Sequence, residues 1–158
     1  MIIINDFLLN RISEKASQSE RLRKNYNFHH YDADPMQRML NAMEPGTYIR
    51  PHKHEKPDKR EIFIILKGSV AFVIFNNTGD VTDIVILDST KGVFGIEIPP
   101  ATWHTLVALK KKSVLYEIKD GPYDAAHDKM FADWAPPENA TDAEAYLFQL
   151  KRTISNYP

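Results

Sequence analysis

The sequence has the length and composition of one globular domain. It contains 158 residues, and 43% of them are hydrophobic, which is enough for a substantial core. The 20 basic and 21 acidic residues give a formal net charge of −1, so the overall charge does not favour nucleic acid or an anionic membrane as a partner. The lack of cysteine excludes disulfides, thiolate metal ligands and cysteine nucleophiles.

Residues 1–45 are predicted to form a helix followed by an extended arm that packs on the rest of the domain. Apolar residues at helical spacing after Asn5 predict an amphipathic helix over residues 6–17. The start of the chain lacks the basic residues and cleavage site of a signal peptide, and no apolar run approaches the ~20 residues of a membrane span. We therefore expect a soluble, cytoplasmic protein.

The arm over residues 21–30 is polar, and its polar residues alternate. If the arm is extended, one set of side chains points the same way and meets either a ligand or solvent. These candidate substrate-contacting side chains are Arg23, Asn25, Asn27 and His29. Residues 35–40 predict a helical turn before the Pro-Gly breaker at positions 45 and 46.

Residues 46–120 predict an antiparallel sandwich or small barrel. Short β-branched or aromatic runs alternate with turn residues, and no interval has room for a crossover helix. The runs are residues 47–49, 62–66, 70–75, 81–87, 93–98, 104–109 and 114–119. Residues 121–158 predict a loop and a closing helix after a capping-box pattern at Thr141 and Glu144, so that all three segments form one structural domain.

Three histidines and a glutamate form a candidate metal site. His52 and His54 lie two residues apart and therefore share a face of an extended strand. His104 and Glu61 come from other predicted strands, and a closed barrel would bring all four side chains together. Three neutral imidazoles with a carboxylate suit a divalent ion such as zinc, iron, manganese or nickel. Glu55 is a second carboxylate close to the two neighbouring histidines.

Strand alternation extends this candidate site to its neighbours. Tyr48 and Arg50 lie an even number of positions before His52 and His54, and Phe63 lies two positions after Glu61. In an extended strand such residues share a face, so we expect all three in the pocket. Arg50 offers a charged, forked donor suited to a carboxylate or phosphate on a substrate, with a salt bridge at the rim as the alternative.

Glu117 is a carboxylate within an otherwise apolar predicted strand. Either Glu117 faces inward and needs a partner, or it faces outward while Tyr116 faces inward. The candidates for moving a proton in a reaction are Glu117, Tyr48 and His29.

The intervals resemble the motifs of the cupin superfamily. The first motif is matched by Gly46, His52, His54, Glu61 and Gly68. The interval of six residues between His54 and Glu61 is longer than in the motif. The second is matched by Pro99 and His104, while Ala101 and Ala108 stand where it has glycine and asparagine. This resemblance implies a mainly β, cupin-type (double-stranded β-helix or jelly-roll) antiparallel barrel with short N-terminal and C-terminal helices.

More narrowly, the chain resembles the WbuC family of cupin-fold metalloproteins. The resemblance rests on the arginine-rich lead-in over 21–29, the Pro-His-x-His core, the pair Trp103-His104, and Glu117 followed by Gly-Pro-Tyr at 121–123. It implies a bacterial cytoplasmic protein encoded among genes for surface polysaccharide (O-antigen) assembly. A sugar or nucleotide-sugar is then the expected small-molecule ligand, and a homodimer the expected assembly.

Two kinds of function fit these residues. One is a metal-dependent enzyme that isomerises, epimerises or eliminates a group from a sugar, or an oxygenase if the metal is iron. The other is a binding protein that captures a sugar or small acid and releases it unchanged. A further alternative is a cupin that uses its barrel only for assembly. A product formed from an activated sugar would distinguish the enzyme from the binding protein.

Overall fold

Ten strands form two five-stranded antiparallel sheets in the computed structural model, which describes residues 1–157. The elements in chain order are α1 (Asp6–Ser17), β1 (Arg23–Asn27), β2 (Met36–Met43), β3 (His52–Lys53), β4 (Glu61–Lys67), β5 (Val70–Phe75), β6 (Val81–Leu87), β7 (Gly95–Ile98), β8 (Trp103–Ala108), β9 (Ser113–Asp120), β10 (Met130–Phe131) and α2 (Ala143–Asn156). The strand orders are β1-β2-β9-β4-β7 and β10-β3-β8-β5-β6. The predicted class, a mainly β barrel with two terminal helices, is confirmed.

Two local predictions were wrong. Residues predicted as a helical turn belong to β2, which pairs with β1 on one side and β9 on the other. Methionine, glutamine and leucine favour helices locally, but two neighbouring strands and the burial of Gln37 and Met39 outweigh that preference. The run 47–49 is not a strand, and β3 begins only at His52.

The core lies between the two sheets and fills one end of the barrel. Phe63 of β4 and Phe72 of β5 meet there, with ring centroids 4.9 Å apart. Inward-facing residues of both sheets complete this cluster, among them Leu106, Leu115 and Ile65. Beside this core lies a cavity lined by polar as well as apolar side chains, and it contains the polar site described below.

The two helices cover the outer faces of the sheets. Leu9 and Ile12 of α1 pack in one cluster with Leu40 of β2. Leu147 and Ile154 of α2 pack in another with residues of β5 and β8. Asn5 caps α1 by accepting a hydrogen bond from the Leu8 amide at 3.1 Å. Neither helix within residues 1–157 combines the length and apolar character that a membrane crossing requires.

Gly68 makes the β4–β5 turn in a left-handed conformation that a side chain would disturb. Its φ is +80°, and a Cβ added there would lie 2.8 Å from Ser113 Cα. Ser113 has little freedom to move, because its hydroxyl donates to the Lys110 carbonyl at 2.7 Å and accepts from the Ser69 amide at 3.1 Å. Gly92 is a matched control, since its φ is +77° but nothing lies within 4 Å of the added Cβ.

Gly68→Ala is therefore expected to destabilise the fold more than Gly92→Ala. Left-handed backbone strain alone should cost Gly92→Ala about 1 kcal/mol. Gly68→Ala adds the clash with Ser113 and should cost about 3 kcal/mol in total. Urea denaturation of both variants measures the difference. Equal losses would show that the close approach to Ser113 has no energetic weight.

Candidate metal centre

Four buried side chains meet at the polar end of the barrel. His52 lies on β3, His54 directly after it, Glu61 at the start of β4, and His104 on β8. One ligand atom from each lies within 4.8 Å of the ligand atoms of the other three. His52 and His104 are register partners in one sheet, while Glu61 belongs to the other. The two sheets together therefore bring the grouped histidines and glutamate to one point.

Each imidazole is held through its Nδ1 atom by a backbone carbonyl. Nδ1 of His52 lies 3.0 Å from the Arg50 carbonyl oxygen, and Nδ1 of His104 lies 2.9 Å from that of Thr102. Nδ1 of His54 contacts the carbonyl oxygen of Asp128. Because a carbonyl oxygen only accepts, each Nδ1 carries a proton and donates it. In the neutral rings, the lone pairs are then on Nε2.

These lone pairs face a carboxylate rather than a donor. Nε2 of His54 and Nε2 of His104 each lie 3.0 Å from an oxygen of Glu61. Within residues 1–157, both Nε2 atoms and Glu61 Oε2 are buried without a hydrogen-bond partner. Burial holds the pKa of His52 well below its usual value, so that ring is neutral. Buried acceptors that face one another are satisfied by a cation between them, so these residues fit a divalent metal ion.

The alternative carboxylate, Glu55, lies apart from this cluster. Its side chain forms an ion pair with Lys53 at 2.7 Å. Glu61 is buried, and its two carboxylate oxygens lie 3.0 Å from Nε2 of His54 and 3.0 Å from Nε2 of His104. The geometry thus brings Glu61, and not Glu55, to the three histidines.

A cavity of about 1000 Å³ lies between the sheets, and His52, Glu61 and His104 line it. Because side chains alternate between the two faces of a strand, residues two positions apart on β4 or on β9 face the same way. Glu61 is the register partner of Lys119, and Phe63 is that of Glu117, and all four line the cavity. Tyr116 points the other way and packs against Phe28 on the outside, with ring centroids 5.5 Å apart. Of the two residues, Glu117 therefore faces the inside of the barrel and Tyr116 faces the outside.

Glu117 is held in the cavity by Asn41 of β2. The Asn41 Nδ2 group donates to the Glu117 carboxylate. Burial raises the pKa of Glu117, and the negative charge of Glu61 raises it further. A carboxyl group of this kind is poised to exchange a proton nearer neutral pH than an exposed glutamate.

The polar arm on β1 and just beyond it also lines the cavity. Asn25, Asn27 and His29 do so, and His29 Nδ1 accepts a hydrogen bond from the Arg38 amide at 3.1 Å. Arg23 lines the cavity too, but its donors are engaged with the protein: it contacts Glu138 at 2.6 Å and the Tyr48 carbonyl at 2.8 Å. Arg23 thus ties the arm to the segment before α2.

Tyr48 and Arg50 were predicted in the pocket and lie outside it. The Tyr48 hydroxyl donates to the Pro136 carbonyl at 2.9 Å, and its ring packs against Tyr146 of α2. Arg50 donates to the Ala132 carbonyl at 2.7 Å. The prediction failed because strand alternation does not extend back through residues 47–51. Ile49, three positions before His52, lines the cavity with it.

Sequence reasoning missed the ionic network beneath the site. The carboxylate of Asp128 bridges two buried ammonium groups, Lys59 at 2.8 Å and Lys119 at 2.6 Å. These lysines hold the pKa of Asp128 below its usual value despite its burial. Lys119 shares the parity of Glu117, so alternation along β9 could have found it. Asp128 lies in a loop, where no periodic pattern signals it.

Comparisons with known proteins identify a family for this chain. Residues 4–87, more than half of the chain, match the model of a family described as "Domain of unknown function (DUF6016)". The chain belongs to this DUF6016 family. No curated protein matches the DUF6016 chain.

Solved structures of three cupin-fold proteins are similar to the DUF6016 chain. KdgF from Halomonas sp. is 16% identical, with a TM-score of 0.50, over 69% of this chain and 87% of KdgF. CapF, the capsular polysaccharide assembling protein of Staphylococcus aureus, is 19% identical with a TM-score of 0.55, over 72% and 30% of the two chains. Oxalate decarboxylase from Lactobacillus farciminis is 13% identical with a TM-score of 0.53, over 72% and 32%. The chain thus spans about a third of the last two proteins, and at these identities the likeness shows the cupin fold.

Proposed function

We propose that this cupin is a metal-dependent enzyme that transfers a proton to or from a small polar substrate held in the barrel. The observation that carries the proposal is the arrangement of the buried acceptors. Nε2 of His54, Nε2 of His104 and Glu61 Oε2 converge without a donor among the described residues. Glu61 and His104 lie on the wall of a cavity of about 1000 Å³, which has the volume that small-molecule sites require.

His52, His54, His104 and Glu61 would hold the ion. When bound, a divalent ion supplies a Lewis acid that polarises a carbonyl or hydroxyl oxygen of the substrate. The backbone carbonyls at Nδ1 fix the ring orientations before the ion arrives, which lowers the cost of organising the site.

Glu117 would act as the acid or base. It shares the cavity with His52, Glu61 and His104, and Asn41 fixes one of its carboxylate oxygens. As a base, a carboxylate oxygen would take a proton from a C–H or O–H bond of the substrate. The same oxygen would return it at another position or, in an elimination, to the leaving group as its bond to the substrate breaks. Isomerisation, epimerisation and elimination all begin with such a transfer. His29, on the cavity wall, is a second group that can carry a proton.

The substrate class that we propose is a sugar or nucleotide-sugar from bacterial surface polysaccharide assembly. The resemblance to the WbuC family supports this, as does the fold shared with a capsular polysaccharide assembling protein. Asn25 and Asn27 add amide groups suited to sugar hydroxyls. We further propose a cytoplasmic homodimer, and that residues 1–45, 46–120 and 121–158 work as one domain, since Arg23 and Glu138 join the first segment to the last.

Glu117→Gln is expected to lower turnover of the metal-loaded protein by roughly 10²-fold or more, the usual contribution of a general acid or base. The substitution keeps the shape of the side chain and removes the proton-transfer group. Mass spectrometry of activated sugars incubated with each protein measures product formation. Glu97→Gln, on β7 outside the cavity lining, is the matched control and should leave turnover unchanged.

Two results would contradict the proposal. Unchanged turnover in Glu117→Gln would exclude Glu117 as the proton-transfer group. Stoichiometric binding of a sugar without any product would show that the chain is a binding protein rather than an enzyme.

A further inference from the structure

Lys129 brings a positive charge to the cavity that no group of the described chain neutralises by direct contact. It lines the same cavity as His52, Glu61 and Glu117. The other two lysines around the site both form ion pairs with Asp128, whereas Lys129 forms none within residues 1–157.

The charges around the cluster become unbalanced once a metal ion binds. Asp128 already pairs with Lys59 and Lys119, and Lys129 lines the cavity without an ion pair among the described residues. A divalent ion held by three neutral imidazoles and the single carboxylate of Glu61 would therefore leave excess positive charge in a partly buried site. Because uncompensated charge is costly away from water, the loaded site favours a negatively charged ligand.

Asn41 offers the cavity an acceptor that lacks a donor. Its Nδ2 group donates to Glu117, which orients the amide, and its Oδ1 atom is buried without a hydrogen-bond partner in the described chain. Asn25 is its register partner on β1 and lines the same cavity. A ligand hydroxyl that donates to Asn41 Oδ1 would satisfy it.

We propose that the ligand is a polyhydroxylated molecule carrying one carboxylate or phosphate, with the anion at Lys129 and a hydroxyl donating to Asn41. This inference rests on the proposed metal site, since the ion supplies the excess positive charge. It narrows the proposed substrate class from sugars in general to anionic sugar derivatives. A neutral sugar would leave the excess charge, and a simple acid would leave Asn41 without a donor.

The test is calorimetric titration of the metal-loaded full chain with four probes. D-Glucuronate and glucose 6-phosphate carry both features, D-glucose lacks the anion, and acetate lacks the hydroxyls. We expect one or both of the first two to bind at least about tenfold more tightly than glucose or acetate, as a charge-assisted hydrogen bond implies. Their relative affinities distinguish carboxylate from phosphate as the recognised group. Equal binding of glucose, or no binding of either anionic sugar, would overturn the inference.

Two substitutions assign the binding to the named residues. Lys129→Met keeps the apolar stem and should weaken the anionic probe about 10- to 100-fold, while Lys111→Met, in the exposed β8–β9 hairpin, should not. Asn41→Leu should weaken binding of the hydroxylated probes more than binding of acetate. Unchanged affinity in Lys129→Met would overturn the role of that lysine.

Metal content measured on the same samples separates the two proposals. If the protein contains metal but does not bind the anionic sugars, only the ligand inference is contradicted. A protein that takes up no metal contradicts the proposed function and this inference with it.

Discussion

His104→Ala is expected to abolish stoichiometric metal binding, the largest effect predicted for any single substitution in this protein. His104 supplies one of four converging ligand atoms, and its Nε2 atom has no other partner among the described residues. Changes to groups that only orient a ligand typically cost 10- to 100-fold in metal affinity, so removal of the ligand itself should cost more. Elemental analysis of protein purified without chelators, followed by titration of the apo-protein with zinc, measures the loss.

His30→Ala is the matched control, because His30 is exposed and lies outside the cavity lining. It should leave metal content unchanged. If His104→Ala bound metal as the unaltered protein does, the four side chains would not form the site. Binding in the unaltered protein but loss in His30→Ala would place the ion elsewhere.

Asp128→Ala is expected to cause the second large effect, a loss of about 3 kcal/mol in the free energy of unfolding, typical of a broken buried ion pair. The substitution leaves the ammonium groups of Lys59 and Lys119, both buried, without their shared carboxylate. It should also weaken metal binding, because the backbone carbonyl of Asp128 orients His54 and the loop that carries it is held by this network. Urea denaturation and zinc titration of the same variant measure the two losses.

Asp124→Ala provides the comparison for Asp128→Ala. Asp124 pairs with His127 at 2.8 Å, but both side chains are largely exposed, and exposed pairs contribute little. Its loss should leave stability and metal affinity nearly unchanged. If Asp128→Ala were equally harmless, the buried network would not organise the loop over the site.

The barrel and the grouping of the four ligand candidates could be predicted because both depend on repeating patterns. Short β-branched runs separated by turn residues define antiparallel strands, and Glu61 keeps its six-residue interval to the turn glycine Gly68. The same alternation failed for Tyr48 and Arg50, because it holds only inside a regular strand and β3 begins at His52.

The rest of the site depends on contacts between distant parts of the chain. β2 was missed because its composition favours a helix and only its two neighbouring strands make it extended. The contact of Asn41 with Glu117 was missed for the same reason, because Asn41 lies on β2. Asp128 and Lys129 lie in a loop that no periodicity describes, and they reach the cavity because Lys59 and Lys119 bind the Asp128 carboxylate there.

Anomalous X-ray diffraction from crystals of protein purified without chelators tests the central claim most directly. We predict one strong peak between the sheets, bonded to Nε2 of His52, His54 and His104 and to a carboxylate oxygen of Glu61 at ~2.0 to 2.2 Å. The absorption edge at which the peak appears would identify the metal. A map without a peak among these atoms, from protein supplied with zinc, iron, manganese and nickel in turn, would contradict the account.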